Sequence, residues 1–369
     1  MDAIRHHTFG PPEVLTLEQV PDPAPGPDEV LIDAVAHGVH LLDTSLRRGE
    51  SGPPLPLPSL PTIPGREVAG TVARVGPGVE DSWVGRRVAA HLGPVPDGGG
   101  YARRVVVAAD KLHVIPEGPG RGPVDAADAI AMIGTGRMAV YTLDIAAVTA
   151  ADVVVVTAAA GGLGPLFVQE ALSTGARVVA LAGGTTKLDV LRDLLQDSQA
   201  ADAAHPETGL ASDRLALVDY TAPDWTDAAR AALGGSPATL VLDGVGGDLG
   251  TAATELLGGL GSSDAGTGTA AAADPVQPRL VAYGWASGAP NRYTSWAGGD
   301  RIESPIEVRY AVGPDAPPMS DQRPFQERAL ANVASGRWRP ATYRVPFAEA
   351  ARAHRALEER LSTGKVVLV

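Results

Sequence analysis

The sequence predicts an α/β protein, with a doubly wound parallel sheet in its second half joined to a β-rich first part. Three observations predict it. From about Asp125, short apolar runs alternate with helically spaced segments. One of those runs, Val153 to Val156, leads straight into "TAAAGGLG", a cluster of alanines and glycines. Before Asp125 the chain instead clusters β-formers between turn residues.

In order, "EVLIDAVAHGV" (Glu29 to Val39), "EVAGTVARVG" (Glu67 to Gly76), "RRVAAHLG" (Arg86 to Gly93) and "YARRVVVAA" (Tyr101 to Ala109) read as strands. The Pro-rich stretches Pro21 to Glu29 and Ser51 to Gly65 read as loops around them. Helical spacing follows from Asp125 to Ile145. Strands are then expected at Val153–Thr157, Arg177–Leu181, Leu217–Asp219, Leu240–Asp243 and Leu280–Tyr283, with helices at Pro165–Thr174 and Leu188–Leu195. Polar, Gly/Ala-rich segments at 197–213 and 261–278 read as inserted loops. Pro346 to Leu361 places Phe347, Ala350, His354, Leu357 and Leu361 on one helical face. The following "KVVLV" reads as a strand that returns to the first domain.

The bulk numbers narrow the function. A chain of 369 residues suggests about two domains. The net charge of -13 argues against a nucleic-acid or anionic-membrane surface, both of which need clustered Lys and Arg. The absence of cysteine excludes disulfides, thiolate nucleophiles and Cys-based metal sites. The first residues carry no apolar signal core, so a soluble cytoplasmic protein is expected.

The glycine cluster has a ligand-binding context. Ala159-Ala160-Gly161-Gly162-Leu163-Gly164 fits a dinucleotide fingerprint with alanine in first place. A strand precedes it, Pro165 suits the first turn of the following helix, and Gly175 is placed to end that helix. Side chains at Gly161 or Gly164 would obstruct a pyrophosphate or the helix–strand packing, which marks a Rossmann-type sheet. About 20 residues on, an NAD-binding unit usually carries an acidic residue. Here "LAGGTTK" places Gly183 and Gly184 instead, followed by Thr185, Thr186 and Lys187. That favours NADPH.

Together with "HHTFGPPEVL", "GVHLLDTSLRRGE", "PTIPGREVAGTVARVGPGV", "DYTAPDW", "VLDGVGG", "YGWASG" and "TGKVVLV", these residues make the chain resemble the zinc-independent quinone oxidoreductases (the zeta-crystallin-like group) of the medium-chain dehydrogenase/reductase superfamily. The resemblance implies a GroES-like catalytic domain from residues 1–124 and 300–369, a Rossmann NADPH-binding domain from 125–299, an active site in the cleft between them, and a homodimer. It places Tyr220 and Arg360 near the adenosine phosphate. It sends Asp243 to Gly246, Val245 included, and Tyr283 to Ser287 past the nicotinamide. Met138 stands where relatives often have Thr. The metal-ligand positions of zinc-dependent relatives correspond to His40, Arg66 and Ala131, which cannot supply the roughly three ligands that zinc needs.

Quinones and conjugated enones accept hydride readily, because charge spreads through the π system, and neutral hydrogen-bond donors then suffice. His40 replaces the usual Asn of relatives, and Leu41 or Ser45 a nearby Tyr. His40 is therefore the candidate donor or proton source, with a packing or ribose-contacting role as its alternative. Asp43 and Arg47 read as structural or ribose-side groups, Tyr101 as a strand-start aromatic, and His91, His113, His205 and His354 as isolated. The expected activity is NADPH-dependent reduction of a small quinone or enone. The alternatives are an enoyl or 2-alkenal reductase specialised for a biosynthetic pathway, and a non-catalytic NADPH-binding protein.

Overall fold

Alternation with period two buries one face of each strand in the first part of the chain. Val30, Ile32 and Ala34 of strand Glu29–Gly38 meet Val68 and Val72 of Glu67–Val75, Val88 and Ala90 of Arg87–His91, and Val105 and Val107 of Arg104–Ala108 in one core. In this computed structural model residues 1–50, 56–93, 99–118, 122–201, 213–260, 277–294 and 304–369 are described. Most of the expected insertions at 197–213 and 261–278 lies outside them, as does His205.

The described residues form two compact units, Met1–Arg137 with Arg323–Val369, and Met138–Gln322. In the first unit a seven-stranded sheet runs in the order Thr342–Val345, Lys365–Leu368, Glu29–Gly38, Glu67–Val75, Arg87–His91, Leu112–Val114. Strand Arg104–Ala108 also pairs with Glu29–Gly38. Strand Lys365–Leu368 pairs with Glu29–Gly38, as the sequence suggested for "KVVLV". Helix Ala350–Glu358 lays Ala350 and Ala353 against Ile4, Tyr101, Val366 and Leu368. Leu361 departs from the expected face. The helix ends at Glu358, Arg360 turns into the left-handed region at φ 56°, and Leu361 is 64% exposed.

The second unit holds a six-stranded, all-parallel sheet. Its order is Leu215–Asp219, Arg177–Ala182, Val153–Val156, Leu240–Asp243, Arg279–Ala282, Glu307–Tyr310. The first three strands run outward one way and the last three the other, the doubly wound pattern. The Val153–Val156 run is almost wholly buried, as a strand covered on both faces must be. Helices Gly164–Thr174, Thr185–Ala201, Trp225–Leu233 and Gly247–Thr254 connect the strands.

Two stretches fall on the other side of the expected domain boundaries. Residues 125–137 pack in the first unit, and strand Glu307–Tyr310 completes the second unit's sheet. The helical stretch read as one element is in fact three: α-helix Ala126–Ala131, a π-helical segment Met132–Gly136, and α-helix Arg137–Ala146. The two glycines of "MIGTG" lie in the π segment, a conformation that recurs at functional sites. Among the described residues, no helix is long and apolar enough to cross a membrane.

Candidate active site

The first candidate region lies in the second unit, at the carboxyl ends of its parallel strands, where open α/β sheets bind ligands. The strand Val153–Val156 ends at Thr157, and Ala158 turns the chain with φ 48°. Ala160 to Leu163 complete the turn, and helix Gly164–Thr174 starts without a side-chain cap. A Cβ on Gly164 would lie 2.4 Å from the Ala158 carbonyl oxygen and 2.5 Å from the Ala159 Cα. The close helix–strand approach expected of the last fingerprint glycine is therefore present. Uncapped N–H groups at such a helix start suit an anion.

The next strand end carries Gly183, Gly184, Thr185 and Lys187. A Cβ on Gly183 would meet the Tyr220 hydroxyl at 2.8 Å, so the Tyr220 ring covers this glycine. Gly184 takes φ 91° with open space around it, and Thr185 is exposed. Asp219 escaped the sequence reading. Its Oδ1 accepts the Gly184 N–H at 2.8 Å and the Thr221 hydroxyl at 2.6 Å. The Thr221 hydroxyl and the Gly184 amide hold its carboxyl below the usual range.

A third group of turns follows Asp243. Val245 is buried and its N–H donates to Asp243 at 2.9 Å. Tyr283 packs on Phe167 and over Gly244, and its hydroxyl donates to the Thr157 carbonyl at 2.8 Å. Both residues are thus committed to holding the turns. Of the other cofactor candidates, Arg360 belongs to the first unit, exposed just after helix Ala350–Glu358. Met138 begins the second unit.

The second candidate region is a polar cluster inside the first unit. His40 is the N-cap of helix Leu41–Arg48, where its backbone N–H donates to Asp43 at 2.9 Å. Its imidazole Nε2 lies 2.9 Å from Glu67 Oε2 and 3.0 Å from Lys365 Nζ. Lys365 Nζ also lies 2.9 Å from Glu67 Oε2 and donates to the Val39 carbonyl at 3.1 Å. Glu67 is fully buried, in space that two glycines leave open. A Cβ on Gly38 would fall 2.0 Å from Oε2, and one on Gly134 would fall 1.7 Å from Oε1. Burial alone would push the Glu67 carboxyl up. The positive fields of His40 and Lys365 outweigh it and hold the group well below the usual carboxylate range. His91 joins the cluster, its ring 6.3 Å from that of His40. Burial drives its pKa down to about 3 against the pull of Glu67.

These contacts correct three sequence expectations. His91 is not isolated. Tyr101 is no ordinary strand-start aromatic: it is fully buried, and its hydroxyl lies 3.1 Å from His354 Nε2 and 3.4 Å from Asp43. His354 is accordingly not isolated either. Glu67 and Lys365 went unnoticed because each looks ordinary in its own strand. Asp43 and Arg47 are structural here. Asp43 pairs with the buried Arg66 at 3.0 Å, and Arg47 pairs with Glu358. Among the described residues, no three His, Asp or Glu side chains are grouped as a metal site.

Known proteins resemble the chain along its whole length. A family profile described as "Alcohol dehydrogenase GroES-like domain" matches residues 26–117, and one described as "Zinc-binding dehydrogenase" matches residues 210–368. A 2-haloacrylate reductase from Burkholderia sp is 30% identical, covering 98% of this chain and 97% of that protein. A quinone oxidoreductase from Pseudomonas aeruginosa is 29% identical, covering 99% and 98%. A mycobacterial protein solved in complex with NADPH superposes with a TM-score of 0.71 at 26% identity, covering 100% of both chains. The Escherichia coli quinone oxidoreductase solved with NADPH shares the fold, with a TM-score of 0.72 at 22% identity over 100% of both chains.

Proposed function

Because the chain belongs to the quinone oxidoreductase group of the medium-chain dehydrogenase/reductase oxidoreductases, we propose that it is an NADPH-dependent, metal-free reductase whose acceptor is a quinone or a conjugated enone. The buried Arg66–Asp43 pair carries this reading. A guanidinium locked to a carboxylate at a position that holds a metal ligand in zinc-dependent relatives cannot bind a metal, and Ala131 supplies no donor at another. The acceptor must then be one that needs no strong Lewis acid, which selects conjugated carbonyls.

The residues fit the cofactor. The turn Ala160 to Gly164 offers backbone N–H groups to a pyrophosphate. Gly183 and Gly184 bring no carboxylate of their own to a 2′-phosphate, while Thr185 and Lys187 donate to it and Tyr220 lines the adenosine side. Val245 and Tyr283 keep the nicotinamide-side turns in place. When bound, NADPH supplies the hydride. His40 donates a hydrogen bond to the acceptor oxygen or delivers the proton that completes the reduction.

The relative named 2-haloacrylate reductase acts, by its name, on a conjugated alkene, and this favours an enoyl or 2-alkenal reductase as the second reading. We also infer a cytoplasmic homodimer, to be checked by light scattering on the purified protein. The decisive assay follows NADPH consumption with quinones, enones and acyl thioesters in parallel. The expected result is turnover with at least one of the first two classes. Turnover with acyl thioesters alone would support the second reading. Tight NADPH binding without consumption by any acceptor would refute both and leave a binding protein.

A further inference from the structure

We propose that Asp243, with Asn291 as its partner, is a positioning residue that holds together the strand-end turns of the second unit. The inference rests on the reading that those turns receive NADPH. Asp243 is 1% exposed at the end of strand Leu240–Asp243. Its Oδ1 accepts from the Thr157 hydroxyl at 3.0 Å, the Val245 N–H at 2.9 Å and the Gly246 N–H at 3.1 Å. Its Oδ2 accepts from the Asn291 side-chain amide at 2.9 Å. These four donors are all neutral, so the carboxylate is held here by dipoles. Gly250 leaves it room, since a Cβ there would stand 2.2 Å from Oδ2.

Three turns converge on this group. Thr157 opens the glycine turn, and its hydroxyl also accepts the Gly244 N–H at 3.0 Å. Val245 and Gly246 form the second turn. The third is tied to the second by the Ala286 N–H on the Gly244 carbonyl and the Ser287 N–H on the Val245 carbonyl. Asn291 anchors the far side, with its amide on Thr254 Oγ1 at 2.8 Å and its carbonyl taking the Tyr293 N–H at 3.1 Å. Only a carboxylate offers acceptors in both directions. An amide at position 243 would keep the three Oδ1 bonds but turn an NH2 group towards the NH2 of Asn291.

This mismatch defines the test. Asp243→Asn should raise both the Kd of NADPH, read from cofactor fluorescence, and its KM by about 10-fold to 100-fold, the effect of losing hydrogen bonds to a buried charge. The kcat should change much less. The exchange Asp243→Asn with Asn291→Asp faces one donor with one acceptor again, while the Thr254 hydroxyl turns from the Gly250 carbonyl to donate to the carboxylate at 291, and should recover part of the affinity. If Asp243→Asn yields no folded protein, Asn291→Ala carries the test, with a smaller rise in Kd. A folded Asp243→Asn protein with unchanged Kd and KM, or an exchange variant with no recovery, would overturn the proposal. If the unaltered protein bound no NADPH, the functional reading would fall and this inference with it. Tight binding by the unaltered protein with no effect of the variants would overturn the inference alone.

Discussion

Removing the Lys365 ammonium should destabilise the first unit severely, and removing its partner as well should undo much of the damage. In Lys365→Met the fully buried Glu67 keeps His40 but loses a cation 2.9 Å away that is itself only 5% exposed. At an effective dielectric near 20, a pair at that separation attracts by about 6 kcal/mol before desolvation is subtracted. Breaking a buried pair by removing one member costs about 3–5 kcal/mol, because the remaining charge stays buried. For a unit of this size that corresponds to a fall in melting temperature of roughly 6–20 °C. The assay is scanning calorimetry of the unaltered protein, Lys365→Met, and Lys365→Met with Glu67→Gln. The double variant should melt well above the single one, since no unpaired buried charge remains. The pH dependence has a definite sign. The folded-state pKa of Glu67 is depressed, so its stabilisation is complete above the ordinary value of 4.5 and decays as pH falls towards the folded value. That acid limb should weaken in Lys365→Met. A loss below about 1 kcal/mol in the single variant, or a double variant no more stable than the single, would refute the reasoning.

Three further outcomes are expected. NADPH should bind more tightly than NADH, and Lys187→Ala should narrow the gap by about 1–3 kcal/mol; equal dissociation constants in the unaltered protein would contradict the assignment of Gly183 to Lys187. His40→Ala should lower turnover by about 10²–10⁴-fold with NADPH affinity nearly unchanged, and His40→Asn should retain part of the rate; near-normal turnover in His40→Ala would leave solvent as the proton source. Chelators should not alter activity and elemental analysis should find no stoichiometric zinc, whereas activity lost on chelation and restored by zinc would show that a metal is used.

Local pattern carried the sequence reading as far as chemistry is local. The β-branched run before the glycines, Pro165 in the first helical turn and Gly175 at the helix end are neighbours in the chain, and the unit they predict is present. The π segment was invisible because Met132 to Gly136 keeps an apolar pattern that either helix type satisfies. The polar cluster was invisible for a different reason. His40, Glu67, His91 and Lys365 come from a helix cap and three separate strands, and Lys365 reaches His40 across 325 positions. Each taken alone is an ordinary polar residue. The space left by Gly38 and Gly134 was the one available hint, and it has meaning only once the carboxylate that fills it is known.

Strand Lys365–Leu368 lies between Thr342–Val345 and Glu29–Gly38. Synthesis runs from one end at about 5–20 residues per second, so Gly38 leaves the ribosome roughly 15–65 s before Lys365. The unit Met138–Gln322 is continuous and is finished in the meantime. For that interval the nascent Glu29–Gly38 strand has an open edge where Lys365–Leu368 will later pair. Such an edge is a template for pairing with other chains. Damage to Val367 or Leu368, the two residues that pair with this edge, should therefore appear first as insoluble protein during expression, before any catalytic defect can be measured.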